Sequence, residues 1–236
     1  MIVTSPWLVI IAGPNGAGKS TFHDKVLQED PLFKNIPFIN LDNYAKELAG
    51  EDGHVEKHLF EAGRMVRQNI SEKFENRENF IYETTASGRT HLQIMDEAKE
   101  LGYKTAVVFI GLSDVELSHL RVQSRVQNGG HDVPAAIIER RYPNVMKNFP
   151  DMLKRCDIAA VFDNSSKAPY KLVFYMDEKT IRTNGKYPSW VEEGLQGRKT
   201  SKEIIELSPE TIKILKKEQK EMAILVFGSK KGRVGK

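Results

Sequence analysis

The sequence predicts an α/β fold, a parallel sheet with helices on both faces, and three observations carry that expectation. Five short apolar runs rich in Val, Ile and Phe recur between residues 8 and 162, as strands buried on both faces should. The segments between them have helical patterns with start and stop signals. A glycine-rich loop, Gly13 to Ser20, follows the first run directly, at the carboxyl end of a strand where such sheets bind ligands.

In chain order, the predicted strands are Leu8–Ile11, Ile36–Asn40, Asn79–Tyr82, Thr105–Ile110 and Ala159–Phe162. A helix is expected from Ser113, whose hydroxyl caps the first amides while Glu116 reaches back, and it stops at Gly129-Gly130. A second helix is expected from about Asp132 and Pro134. Beyond Asn164 the pattern changes: Lys171–Met176 and Thr180–Thr183 read as two short strands followed by Asn184-Gly185, an added edge hairpin. From Lys199 a charged helical stretch is expected, with Ser208-Pro209 as a start signal and the basic tail GSKKGRVGK disordered. The domain division is therefore 1–198, with 199–236 as a C-terminal helical appendage and tail.

Composition bounds the class. Of 236 residues, 40% are hydrophobic and 28% charged, so the chain can bury a core and is neither collagen-like nor wholly disordered. Lys+Arg 35 against Asp+Glu 32 leaves +3, which demands neither nucleic acid nor an anionic membrane. The single Cys156 makes no internal disulfide and no Cys/His spacing suggests zinc, so a cytoplasmic location is expected. Trp7–Ala12 is too short to span a bilayer, and no membrane partner is expected.

The loop GPNGAGKS fits GxxxxGK[ST] between a strand and a helix, the context that confirms a Walker A phosphate loop. It predicts a P-loop NTPase or kinase-like sheet. Gly13, Pro14, Asn15, Gly16, Ala17 and Gly18 turn amides toward phosphate oxygens, and the helix amino terminus at Lys19, Ser20 and Thr21 adds positive potential. Lys19 reaches the outer phosphates of ATP and Ser20 is placed to ligate Mg²⁺.

Two further strand ends carry carboxylates. Asp42 follows Phe38-Ile39-Asn40-Leu41, where it serves either as a general base toward an acceptor hydroxyl or as the cap of the next helix. Glu83 opens the hydroxyl-rich loop Glu83-Thr84-Thr85-Ala86-Ser87-Gly88-Arg89, suited to substrate hydroxyls or metal-bound water. Arg121 and Arg125 share a helix face four residues apart, and Arg140 and Arg141 lie beyond the loop at Gly129-Gly130-His131. Two arginine-bearing helices around a glycine bend make a hinged lid that neutralises phosphate charge and excludes water, while His131 reads as a loop-packing residue.

Taken together, GPNGAGKS, IPFINLD, FIYETTASGR, LRVQSRVQNGGHDVP, ERRY and VFDNS resemble the zeta toxin family of P-loop kinases, over roughly the first three quarters of the chain. The resemblance implies an ATP- and Mg²⁺-dependent kinase that phosphorylates a sugar hydroxyl of UDP-N-acetylglucosamine, acting as a toxin with an antitoxin protein as partner. It implies Lys19 and Ser20 for ATP and Mg²⁺, Asp42 as base, Glu83, Thr84, Thr85 and Arg89 for the acceptor, and lid arginines on the phosphates. The family's loop after the third strand, Glu-Gly-Thr-Gly-Arg, is two residues shorter than the one here. The pattern leaves open which member of each arginine pair contacts phosphate. Two other readings stand beside it: a kinase of a nucleoside, nucleotide or nucleic-acid 5′-hydroxyl, and a nucleotide-dependent protein-binding switch. Nucleic acid is not expected, because no aromatic–basic pattern for base stacking is present.

Overall fold

The computed structural model describes residues 5–50, 54–130, 132–167, 169–183, 185–195 and 202–206. Its centre is β1 (Trp7–Ala12), a strand without a polar residue because both of its faces are covered. Leu8, Ile10 and Ala12 point to one core and Val9 and Ile11 to the other. Around it are β2 (Phe38–Asn40), β3 (Phe80–Thr84), β4 (Lys104–Gly111), β5 (Ile158–Asp163), β6 (Lys171–Met176), β7 (Thr180–Thr183) and β8 (Glu203–Glu206), in the order β2-β3-β1-β4-β5-β6-β7-β8. The first five run parallel; β6 is antiparallel to β5 and β7 to β6, and β8 lies parallel to β7. The strand order reverses at β1, so the loop after it opens at the switch point of the sheet.

The helices are α1 (Lys19–Phe22), α2 (Leu41–Ala49), α3 (Leu59–Glu75), α4 (Thr90–Glu100), α5 (Val115–Gln127), α6 (Ala135–Arg155) and α7 (Ser189–Leu195). Buried stripes of α3 (Val66, Ile70, Phe74), α4 (Leu92, Met95), α6 (Val145, Phe149, Met152) and α7 (Trp190) cover one face of the sheet. Phe22, the π-helical turn His23–Leu27, Phe33 and Leu117 of α5 cover the other. Among the described residues no helix is long and apolar enough to cross a membrane.

All five predicted parallel strands are present, with ends shifted by one or two residues. The second is shorter than expected because Pro37 has no amide to give the ladder; its carbonyl instead accepts from Ile81 N at 2.8 Å. Three local expectations are corrected. The cap of α5 is Asp114, accepting from Leu117 N at 2.8 Å, while Ser113 donates its hydroxyl to Asp114 at 2.6 Å; the carboxylate outcompetes the hydroxyl as an acceptor. The β6–β7 pair is not the edge of the sheet, because β8 extends it. The charged helix expected from Lys199 is replaced at Glu203–Glu206 by that strand, where the β-branched pair Ile204-Ile205 pairs with β7. The expected Ser208 helix start, the basic tail, Asn184 and His131 lie outside the described residues.

Candidate active site

The phosphate loop is shaped by what surrounds it. Gly13 has φ +148°, and a Cβ there would stand 2.0 Å from the Ile110 carbonyl oxygen of β4, so no other residue fits. Gly18 starts α1 at φ +89°, where a Cβ would meet Asn164 Nδ2 and the Tyr170 hydroxyl, each at 3.0 Å. Those two groups brace the loop. Asn164 Nδ2 donates to Ala17 O at 2.9 Å, Asn164 Oδ1 accepts from Tyr170 N at 3.2 Å, and the Tyr170 hydroxyl donates to Gly18 O at 2.9 Å. From α5, the Ser118 hydroxyl donates to Asn15 O. The carbonyls of Pro14, Asn15, Ala17 and Gly18 are thus all engaged by protein donors, as a cradle for anions requires, since inward-facing carbonyls would repel phosphate.

Lys19 is 7% exposed, and its ammonium donates to Pro14 O at 3.0 Å. Burial pushes its pKa below the ordinary lysine value; Glu83 and Asp42 oppose that shift, and the positive charges of Arg125 and Arg141 add to it. The neighbouring Ser20 hydroxyl donates to Glu83 Oε2 at 2.9 Å, so the carboxylate at the end of β3 reaches the phosphate loop from the wall of the adjoining cleft.

Asp42 sits in the first turn of α2 and does not cap it. The cap is Asn40, whose Oδ1 accepts from Asn43 N at 3.1 Å. The capping role weighed for Asp42 is therefore filled by its neighbour, and the Asp42 carboxylate is left facing the charges of Lys19 and Arg141. A cleft of about 490 Å³ opens there, lined by Asn15, Asp42, Glu83, Thr84, Thr85 and Arg141 together with apolar residues of α3 and α6.

The arginine pairs divide. Arg141 is half-buried in the cleft wall, burial lowering its pKa against the pull of Asp42, while Arg140 is exposed and outside the cleft. Arg121 lies against Gly16, and Arg125 is close enough to Lys19 to depress its pKa, so this pair flanks the phosphate loop instead. Arg89 is exposed at the start of α4 and does not line the cleft.

The loop after β3 has its own brace. Ala86 adopts φ +57°, Thr84 Oγ1 accepts from Ala86 N at 3.0 Å, and Thr85 and Ser87 pair their hydroxyls at 3.1 Å. Buried Asn148 of α6 donates to Ala86 O at 2.9 Å and Gly88 O at 2.7 Å. Sequence reasoning passed over Ser118, Asn148, Asn164 and Tyr170. Only Asn164 had a signal, as part of VFDNS at a strand end; the others are ordinary polar residues whose value lies in contacts 60 or more positions away.

Among the described residues no cluster of three His, Cys, Asp or Glu could hold a metal alone. The donors at Ser20 nevertheless suit a hard divalent cation that keeps most of its ligands from nucleotide and water: one hydroxyl, oriented by the Glu83 carboxylate.

An uncharacterized protein of Haemophilus influenzae is 28% identical over 134 residues, covering 57% of this chain and 91% of its own. The solved structure of the PezAT chromosomal toxin–antitoxin system of Streptococcus pneumoniae superposes with TM-score 0.58 at 20% identity, covering 94% of this chain and 87% of that one. The AvrRxo1-ORF1:-ORF2 structure with ATP superposes with TM-score 0.61 at 15% identity over 75% of this chain, which spans only 60% of that one. At such identities the two structures establish a common fold. The zeta toxin family profile matches residues 3–175, a span that holds the phosphate loop, both carboxylates and Arg121, Arg125, Arg140 and Arg141. The chain therefore belongs to the zeta toxin family.

Proposed function

We propose that this protein is an ATP-dependent kinase that transfers the γ-phosphoryl group to a sugar hydroxyl of a nucleotide sugar, UDP-N-acetylglucosamine or a close relative, as the toxin of a toxin–antitoxin pair. The observation that carries the reading is the cleft itself: a second-substrate space lined by the carboxylate of Asp42, which caps no helix and is close enough to Lys19 to act on its charge. A switch that only binds and slowly hydrolyses ATP has no need of that space. Family membership and the likeness to a toxin–antitoxin structure and to an ATP-bound one support the reading.

In this scheme Asp42 takes the acceptor's hydroxyl proton as that oxygen attacks the γ-phosphorus and the bond to the β-phosphate oxygen breaks, releasing ADP. Lys19 and the flanking Arg121 and Arg125 meet the charge on the transferring group, and Arg141 meets it from the acceptor side. Mg²⁺, held through Ser20, would neutralise phosphate charge when bound. Glu83 fixes the Ser20 hydroxyl through its hydrogen bond and so acts on the phosphate side, with Thr84 and Thr85 left to the acceptor. The test is ATP turnover with and without UDP-N-acetylglucosamine, with product mass measured. Acceptor-dependent ADP release and a phosphorylated sugar nucleotide are expected; turnover indifferent to every acceptor would sink the reading.

A further inference from the structure

The glycine pair after α5, expected to act as a hinge, is hydrogen-bonded as a helix stop. Gly129 has φ +80° and its N–H donates to Val126 O at 2.9 Å, while the Gly130 N–H donates to Arg125 O at 2.9 Å. Those two bonds make a Schellman ending, in which a left-handed residue folds the chain back over the last turn and occupies carbonyls the helix leaves open. The bend is thus tied to the helix before it.

The two glycines answer different needs. At Gly129 the positive φ asks for glycine, and a Cβ would meet nothing within 4 Å. Gly130 has no positive φ, so its backbone would admit another residue, but the space would not: a Cβ would stand 2.5 Å from Arg125 Cγ and 2.9 Å from Arg125 O. The stem of Arg125 lies where a side chain at 130 would be, and its Nε is buried. The other end of α5 is fixed to the phosphate loop. Buried Ser118 donates to Asn15 O, and a Cβ on Gly16 would stand 2.9 Å from Ser118 O and 3.1 Å from Arg121 Cβ. An arginine whose stem is packed delivers its charge with fewer rotamers to lose and no rearrangement as the reaction begins.

We infer that Gly130 is a positioning residue for phosphoryl transfer: by carrying no side chain it seats the stem of Arg125 against the end of α5 and so holds that guanidinium beside the phosphate loop. Arg121 and Arg125 are then presented by a helix docked on the loop, and the glycine pair serves as a seat instead of a hinge. The inference rests on the kinase reading above, and the test separates the two.

In the full-length protein, Gly130→Ala should lower kcat for acceptor-dependent ADP release by about tenfold or more, with KM for ATP and for the acceptor within about twofold. Added to Arg125→Ala, the same change should cost less than about twofold, because no stem remains to displace. A second reading needs no turnover: the Arg125 Nε–H, followed by nitrogen-resolved NMR, should exchange with solvent more slowly than that of exposed Arg140 in wild type, and lose the protection in Gly130→Ala. Unchanged kcat in the folded Gly130→Ala protein overturns the inference, as does an undiminished loss in the Arg125→Ala background, which would mark a merely structural role. So does an Arg125 Nε–H that exchanges as fast as that of Arg140 in wild type, where nothing has been substituted. Each of these leaves the kinase reading standing. Protection that depends on Gly130 without acceptor-dependent turnover instead retains the seat and removes the kinase assignment.

Discussion

The two sides of the site are finished to different degrees. On the phosphate side four loop carbonyls are engaged by Lys19, Ser118, Asn164 and Tyr170, and Ser20 is paired with Glu83. Toward the cleft and a smaller recess between α3 and α4, Asn15 Oδ1 of the phosphate loop and His91 Nε2 are buried with no hydrogen-bond partner among the described residues. The phosphate loop is preorganised by its own protein, whereas the cleft and recess keep buried polar atoms that the described residues do not pair. Preorganised charge contacts need no rearrangement when the reaction begins, and unpaired buried groups discriminate because a wrong ligand leaves them unpaired still.

Substitutions test that division, starting with the largest effect. Lys19→Ala should bring phosphoryl transfer below detection, since the buried ammonium of the phosphate loop supplies a charge-assisted contact to the outer phosphates in the proposed scheme, while thermal unfolding stays cooperative. Near-normal turnover of the folded variant would falsify the phosphate-loop role. Asp42→Asn should lower transfer by ~10² to 10⁴, the usual worth of a general base, with ATP affinity unchanged. A joint loss of ATP affinity would move Asp42 to the phosphate side and blur the contrast. Arg141→Ala should lower kcat by about 10², in the range for one preorganised donor to developing charge, and exposed Arg140→Ala should leave kcat within about twofold. Equal effects of the two would contradict the geometry of the cleft wall.

Acid should strike the acceptor side. His91 has its folded pKa at about 4, below the ordinary 6.5, so between those values the unfolded chain binds the proton more readily. The stabilisation is full above about pH 6.5 and is lost as pH falls toward 4, about 2.5 kcal/mol by pH 4.5. Denaturant melts at pH 7 and 4.5 check this, with a smaller difference expected in His91→Gln. Smallest is Asn164→Ala: Ala17 O and Tyr170 N lose their partner, for about 1.5 kcal/mol of stability. Because the brace belongs to the phosphate side, ATP affinity should fall with it and acceptor KM should not, as binding isotherms and kinetics would show.

The sequence made the phosphate side legible and the acceptor side only partly so. GPNGAGKS is a local signal whose glycines, lysine and serine are neighbours in the chain, and the apolar runs revealed the strands that present it. Asp42 was placed at its strand end, but whether it capped α2 depended on Asn40, two residues earlier and an equally good cap. The arginine pairs were found as pairs; only the packing of α6 against the sheet separates Arg141 from Arg140. Asn148 and Asn164 act through tertiary contacts 62 and 147 positions distant, which no window along the chain contains. Strand β8 was missed because Glu-Ile-Ile-Glu has too little alternation to outweigh its charged surroundings.

One feature of α6 sets how its arginine end is held. Pro143 lies inside the helix, between Arg141 and Asn148, and cannot complete the amide rung back to Glu139. C-terminal to it, Val145 and Phe149 are locked in the core and Asn148 holds the acceptor loop by two hydrogen bonds. Pro143 thus divides the helix into two arms that are anchored to different neighbours. The arm before it, residues 135–142, has anchors of its own, buried Ile138 and the Tyr142 hydroxyl that donates to Leu112 O at 2.8 Å, so Arg141 is positioned from the β4–α5 side while the loop after β3 is positioned from beyond the proline. Amide exchange in that arm should be faster than in residues 145–152 and should slow when nucleotide and acceptor are both bound.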